Sequence, residues 1–131
     1  MQQVNLLAVL VAALSSFLLG GLWYSPVLFG DAWKREAGDT RKPGEGHPAK
    51  VFGLSFGFAV VAALAYSLVI PAPSSALHAV GQGLIIGAGI VATSFGINYQ
   101  FANRSFTLLL IDGGYHAIQF AIYGVILGLW H

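Results

Sequence analysis

Long apolar runs alternate with short polar interruptions along this chain. Val4 to Phe29, Val51 to Ile70, Leu77 to Phe101 and Phe106 to Trp130 are each almost free of charge. A helix needs about 20 mostly apolar residues to cross a hydrocarbon core of ~30 Å, and each run is that long. The pattern predicts an all-α, four-span transmembrane helical bundle in a single domain covering the 131 residues. The expected spans are residues 4–25, 49–71, 77–101 and 107–130. The second and third connections are short, so successive spans should run antiparallel.

The polar interruptions refine this picture. After the first run, Trp23-Tyr24-Ser25-Pro26 breaks the helix, because a proline disfavours helical geometry at the residue before it. Ser25 is placed to cap a short following helix. In that helix Val27, Leu28, Phe29 and Trp33 alternate with Asp31, Lys34 and Arg35, which predicts an element lying in the membrane interface. Residues 36–48, rich in Gly, Pro and charge, read as a polar loop.

Composition sharpens the assignment to a membrane. The chain is 56% hydrophobic and 8% charged, against roughly 25% charge in a soluble domain. Of its six basic and five acidic side chains, only Arg104 and Asp112 lie outside Asp31–Lys50. All six basic residues therefore fall on or beside the two odd connections, residues 30–48 with Lys50 just beyond and residues 102–106. Basic residues favour the cytoplasmic side, so these loops are expected inside and both termini outside, in the bacterial cytoplasmic membrane. The first run has no Lys or Arg before Lys34 and exceeds a signal-peptide core of about 7–15 residues, so it reads as a retained span. A net charge of +1 gives no footprint for nucleic acid. Cysteine is absent, which excludes disulfides, thiolate metal sites and cysteine nucleophiles.

Glycines Gly53/Gly57, Gly83/Gly87 and Gly124/Gly128 are spaced by four. That spacing puts small residues on one helix face, where backbones approach closely, either inside the bundle or between copies in a homo-oligomer. Gly81-Gln-Gly83 is not a dinucleotide loop, since it lacks the third glycine and follows no strand. Gly21-Leu-Trp-Tyr24 and Gly96-Ile-Asn-Tyr99 resemble one another, as expected if two helical hairpins were parallel repeats.

The candidate chemistry lies in span four. Asp112 is an acidic residue inside an apolar run, where such groups usually face the protein interior and find a partner. His116 follows one turn later on the same face, and Tyr115, Gln119 and Tyr123 complete a polar stripe along the span. Folding the last hairpin about Arg104 brings Asn98 level with Asp112, and Thr93 or Ser94 level with His116. Tyr24 and Ser25 reach the same depth from span one. The expected polar pocket, open to the cytoplasm, is therefore Asp112, His116, Asn98, Tyr24, Ser25 and Gln119. It suits a small molecule or, with Asp112 bonded to His116, a proton. The competing expectation is interhelical glue, worth ~0.6 kcal/mol per contact on average. His78 and Gln82 are expected to meet headgroups and water. No cofactor or metal set emerges from the remaining histidines.

Gly20-Gly-Leu-Trp-Tyr-Ser-Pro-Val-Leu-Phe-Gly-Asp-Ala-Trp33 resembles the first-span signature of the family called domain of unknown function 1761. Asn98-Tyr99, the Arg104 turn, Leu110-Ile-Asp-Gly-Gly-Tyr-His116 and Gly128-Leu-Trp130 resemble its closing hairpin. The resemblance covers nearly the whole chain. It implies a small multi-pass membrane protein and transfers no residue role. It also implies that Asn is accepted at the position of Asp112. Three functional classes follow: a small transporter or channel-like component using the polar pocket, a non-catalytic accessory protein packing through its glycine faces, and, third, a membrane enzyme.

Overall fold

The computed structural model describes residues 4–38 and 48–130. The loop residues Asp39, Arg41, Lys42, Glu45 and His47, and the terminal His131, lie outside the described residues. Five helices make up the fold: α1 (Leu6–Trp23), α2 (Gly30–Ala37), α3 (Pro48–Val69), α4 (Ala76–Phe101) and α5 (Phe106–Leu129). Four of them are long and apolar enough to cross a membrane; α2 is the short helix expected after the first span, but it starts at Gly30, so Val27, Leu28 and Phe29 lie in the turn before it. Among the described residues there is no strand.

Three of the four long helices begin with a side-chain cap. Asn5, Ser75 and Ser105 are extended and accept from the backbone N–H three residues on, at Ala8, His78 and Leu108. This satisfies one of the N–H groups that a helix start leaves open. Ser25 does not cap α2, contrary to the expectation. Its hydroxyl donates back to the Leu22 carbonyl at 2.7 Å, and its own carbonyl accepts from Leu28 and Gly30. The turn that results is tight: a Cβ on Gly30 would lie 2.3 Å from the Tyr24 carbonyl oxygen. At the far end of α2, Gly38 takes the left-handed conformation (φ 71°), where glycine is favoured.

The surface carries the apolar bulk. Leu18, Phe58, Val61, Leu77, Ile97 and Leu110 are all more than half exposed. The interior is built instead of Ala8, Ala12, Ala13, Ala63 and Ala79 around a fully buried Tyr123. Small residues inside and large ones outside suit helices that pack in lipid, where close backbone approach rather than water exclusion holds spans together.

The helices are arranged as a curved row. α1 packs against both α3 and α5, and α5 also packs along most of α4. The spatial order is therefore α3, α1, α5, α4, with two hairpins (α1 with α3, α4 with α5) joined through α1 and α5. No interface of comparable extent joins α3 to α4, although only residues 70–75 separate them. There Gln82 donates to the Pro71 carbonyl and His78 Nδ1 receives the Ser74 N–H. These two residues brace the turn.

Two contacts tie chain ends and loops together. The Asn5 side chain donates to the Trp130 carbonyl, so the first and last spans share an end. Arg104 donates to the Ala37 carbonyl at 3.1 Å, which joins α2 to the 102–105 turn at the opposite end.

The glycine pairs divide. A Cβ on Gly83 would fall 2.1 Å from the Phe120 carbonyl oxygen, on Gly87 2.5 Å from that of His116, and on Gly124 2.3 Å from that of Ala79. Gly128 sits against the Pro73 ring. These four weld α4 and its preceding turn to α5. Gly53 and Gly57 face open space and meet nothing among the described residues.

α4 is not uniform. Gly87–Ala92 forms a π-helical segment. The Thr93 hydroxyl bonds back to the Gly89 and Ile90 carbonyls and the Ser94 hydroxyl to that of Ile90, serving backbone acceptors that a widened turn disturbs. A π segment turns everything beyond it relative to a regular helix.

Candidate functional site

Two polar clusters lie on the inner face of α5. The first centres on Asp112. The Tyr24 hydroxyl donates to its Oδ1 at 2.7 Å, and the Tyr99 hydroxyl donates to its Oδ2. Beside it, the Trp23 indole N–H donates to the Ile111 carbonyl at 2.9 Å. Among the described residues no cation pairs with Asp112; the ion pair recorded, Arg35–Glu36, lies elsewhere. The carboxylate is held by two phenols, one from α4 and one from the residue that ends α1.

The second cluster runs deeper. His116 Nδ1 lies 2.6 Å from Gln119 Oε1. The Gln119 amide donates to the Tyr123 hydroxyl at 3.0 Å, and that hydroxyl approaches Ser16 Oγ at 3.3 Å and the Ala59 carbonyl at 3.4 Å. Ser16 Oγ in turn donates to the Ala13 carbonyl at 2.6 Å. Tyr115 donates to the Ser16 carbonyl at 2.9 Å. The chain of bonds starts at the half-buried His116 and ends inside α1.

α4 registers on both clusters at once. The Phe95 ring stacks on the His116 ring, with centroids 5.0 Å apart and planes 22° apart. Tyr99, one turn on, reaches Asp112. Two aromatic residues four apart thus lie over two polar residues four apart.

The residues expected to form one pocket are therefore partly separated. Tyr24 joins Asp112, and Gln119 joins His116. Among the described residues no hydrogen bond links Asp112 to His116, since each is engaged by another group. Asn98 is exposed on the outer face of α4, and Ser25 is turned back on its own backbone. Tyr99, Ser16 and Phe95 belong to the clusters and were absent from the expected set; Tyr123, expected on the stripe of span four but not in the pocket, joins the second cluster. Aromatic side chains four apart in span three, matching Asp112 and His116 four apart in span four, were the sequence signal for Tyr99 and Phe95.

Between α3 and α4, where the row of helices leaves a gap, lies a cavity of about 820 Å³. α1 and α5 form its floor. Phe17, Phe52, Phe58, Phe95, Tyr115 and Phe120 supply most of the wall. Polar atoms come from His116, Gln119, Ser16, Tyr24 and Ser55. Among the described residues, no Asp, Glu, Lys or Arg lines it. Asp112 lies outside the cavity, behind Tyr24. Gly20 and Gly21 keep the α1 side low, and a Cβ at Gly21 would meet nothing within 4 Å.

The family model described as "Protein of unknown function (DUF1761)" matches residues 7–128. The chain belongs to this family. The match extends from the first turn of α1 to the last turn of α5, so both clusters and the cleft lie within the shared region. No curated protein and no solved structure matches the chain.

Proposed function

We propose that this family member is a small transporter- or channel-like membrane component whose cleft receives an uncharged, largely apolar small molecule. The cavity carries the reading. Its volume falls in the range of small-molecule sites, ~300–1,000 Å³. Its walls are aromatic, with a few polar groups converging from α1 and α5. An ionic ligand would find no opposite charge there among the described residues. A proton path through Asp112 and His116 draws no support from the geometry, which gives each its own partners.

A photoreactive alkylbenzene bearing a diazirine tests the reading on protein in lipid nanodiscs. Labelling is expected at Phe17 and Phe95, in the cleft, as well as at the lipid-facing Leu18 and Leu110. Gly21→Trp, which fills space left open beside α1, should lower cleft labelling about tenfold, the effect of losing ~1.4 kcal/mol of binding. Lipid-face labelling should not change. Equal labelling of both regions, unaltered by Gly21→Trp, would mean that the cleft is merely part of the lipid boundary. That result would favour the second reading, a non-catalytic accessory protein. Its structural support is the open face of Gly53 and Gly57, which a second copy could cover.

The same proposal places the end bearing Lys34, Arg35, Lys50 and Arg104 in the cytoplasm and both termini outside, in a bacterial inner membrane. These basic residues lie in α2, at the start of α3 and in the turn before α5, and basic loops stay inside. Alkaline phosphatase fused after His131 should be active, and the same enzyme inserted at Gly44 should be inactive. The reverse pattern would invert the orientation.

A further inference from the structure

The hydrogen-bond chain behind His116 has a direction, and that direction fixes what the imidazole offers to the cleft. Ser16 Oγ lies 2.6 Å from the Ala13 carbonyl, which can only accept. Its single proton is therefore committed, and Ser16 faces Tyr123 with a lone pair. The Ala59 carbonyl, the other group near the Tyr123 oxygen, is also an acceptor. Tyr123 must donate toward this pair, so its oxygen receives a proton from Gln119. That sets the Gln119 amide with Nε2 toward Tyr123 and Oε1 toward His116. Turned over, Gln119 would draw the Tyr123 proton to itself and leave oxygen facing oxygen at both Ser16 and Ala59. A Gln119 Oε1 at 2.6 Å in turn requires a proton on His116 Nδ1.

A neutral imidazole protonated at Nδ1 carries a bare lone pair at Nε2. Among the described residues nothing bonds to that nitrogen. The ring cannot easily turn it away: Phe95 stacks on one face, Tyr115 packs edge-on with centroids 4.9 Å apart, and Gln119 holds the other nitrogen. His116 lines the cleft. The residue is thus a fixed hydrogen-bond acceptor in an aromatic, uncharged cavity.

We infer that the cleft selects a neutral, mostly apolar molecule carrying a hydroxyl, which donates its proton to His116 Nε2 while its body lies against Phe17, Phe58 and Phe95. This rests on the cleft being a binding site and adds the polar group that its ligand must bear. No bond is made or broken. Gln119, Tyr123 and Ser16 act as positioning residues that hold the acceptor tautomer.

The probes are 4-hexylphenol and its methyl ether, 4-hexylanisole, which match in body and differ in the donor. They are titrated into ¹⁵N-histidine-labelled protein in nanodiscs, with the His116 signals assigned by their loss in His116→Phe. The free protein should show His116 as the Nδ1–H tautomer. The phenol should shift the Nε2 resonance as hydrogen bonding does, and should bind about tenfold more tightly than the ether after correction for partition into protein-free nanodiscs. In His116→Phe, which keeps a ring for Phe95 to stack on, the two probes should bind alike. A free-state Nε2–H tautomer, or equal affinity of the two probes for the unaltered protein, overturns the inference. If both probes bind equally and Gly21→Trp blocks both, the cleft stands as a site and only the hydroxyl selection falls. If Gly21→Trp blocks neither, the cleft itself is not a site and both readings fall.

Discussion

Gly83→Val is expected to dismantle the pairing of the third and fourth spans. A Cβ at this position would lie 2.1 Å from the Phe120 carbonyl oxygen and 2.7 Å from the Ala121 Cα. Both are backbone atoms of α5, so no side chain can rotate out of the way. The helices would have to separate along the face where Gly87 and Gly124 also meet backbone. Overpacking against movable side chains costs ~1–3 kcal/mol; rigid backbone should put this substitution at or above the upper end. Gly53→Val is the matched control, because its Cβ enters open space. The two variants, solubilised in one detergent and followed by thermal unfolding and size-exclusion profile, should diverge: Gly53→Val close to the unaltered protein, Gly83→Val strongly destabilised or absent from the folded peak. Equal unfolding temperatures would show that α4 and α5 are not held by this contact.

Four-residue glycine spacing appears three times in the sequence, yet only two of the pairs lie at helix contacts within the subunit. The spacing states that a face is smooth; it does not state whether anything lies on it. The same limit explains the site. The spans were readable because a bilayer imposes one crude demand, about 20 apolar residues per crossing. The bounds of the four long helices accordingly fall within a few residues of the runs seen in the chain. Hairpin geometry brought the facing levels close but not to the residue: Tyr99, the neighbour of Asn98, meets Asp112, and Phe95, rather than Thr93 or Ser94, meets His116. The face each presents was not readable. Adjacent helical residues point about 100° apart, and the π segment at Gly87–Ala92 adds its own rotation before residue 98 is reached. The result is that Tyr99 turns inward and Asn98 outward. Nor could spacing decide between Asp112 and Gln119 as the partner of His116. Both lie within one turn of it, and the choice depends on Tyr24 and Tyr99 occupying the carboxylate from other helices. The gap between α3 and α4 was hidden for a related reason. Adjacency in sequence, with a short connection, ordinarily means adjacency in space, but here both helices are drawn aside to the α1–α5 pair.

Asp112→Leu should be far more damaging than Asp112→Asn. The carboxylate accepts from two phenols that arrive from different parts of the chain, Tyr24 beyond α1 and Tyr99 in α4. Hydrogen bonds to a charged group contribute ~1.5–3 kcal/mol each, and donors left without an acceptor add the cost of their own desolvation. Asp112, Tyr24 and Tyr99 all keep some exposure, so water recovers part of this. A net loss on the order of 2–4 kcal/mol is expected for the leucine variant. Asparagine retains one carbonyl oxygen to accept from one phenol, while its amide can donate to the oxygen of the other. Its expected cost is about 1 kcal/mol or less, near that of one neutral hydrogen bond. A double-mutant cycle separates this from lost packing. Tyr99→Phe should be destabilising in the unaltered protein and nearly neutral beside Asp112→Leu, because the hydroxyl then has no carboxylate to lose. Thermal unfolding of the four proteins in one detergent provides the measurement. If Tyr99→Phe costs the same in both backgrounds, the carboxylate does not fasten α4 to α5, and the loop-side half of α4 is held by packing, including the stacking of Phe95 on His116.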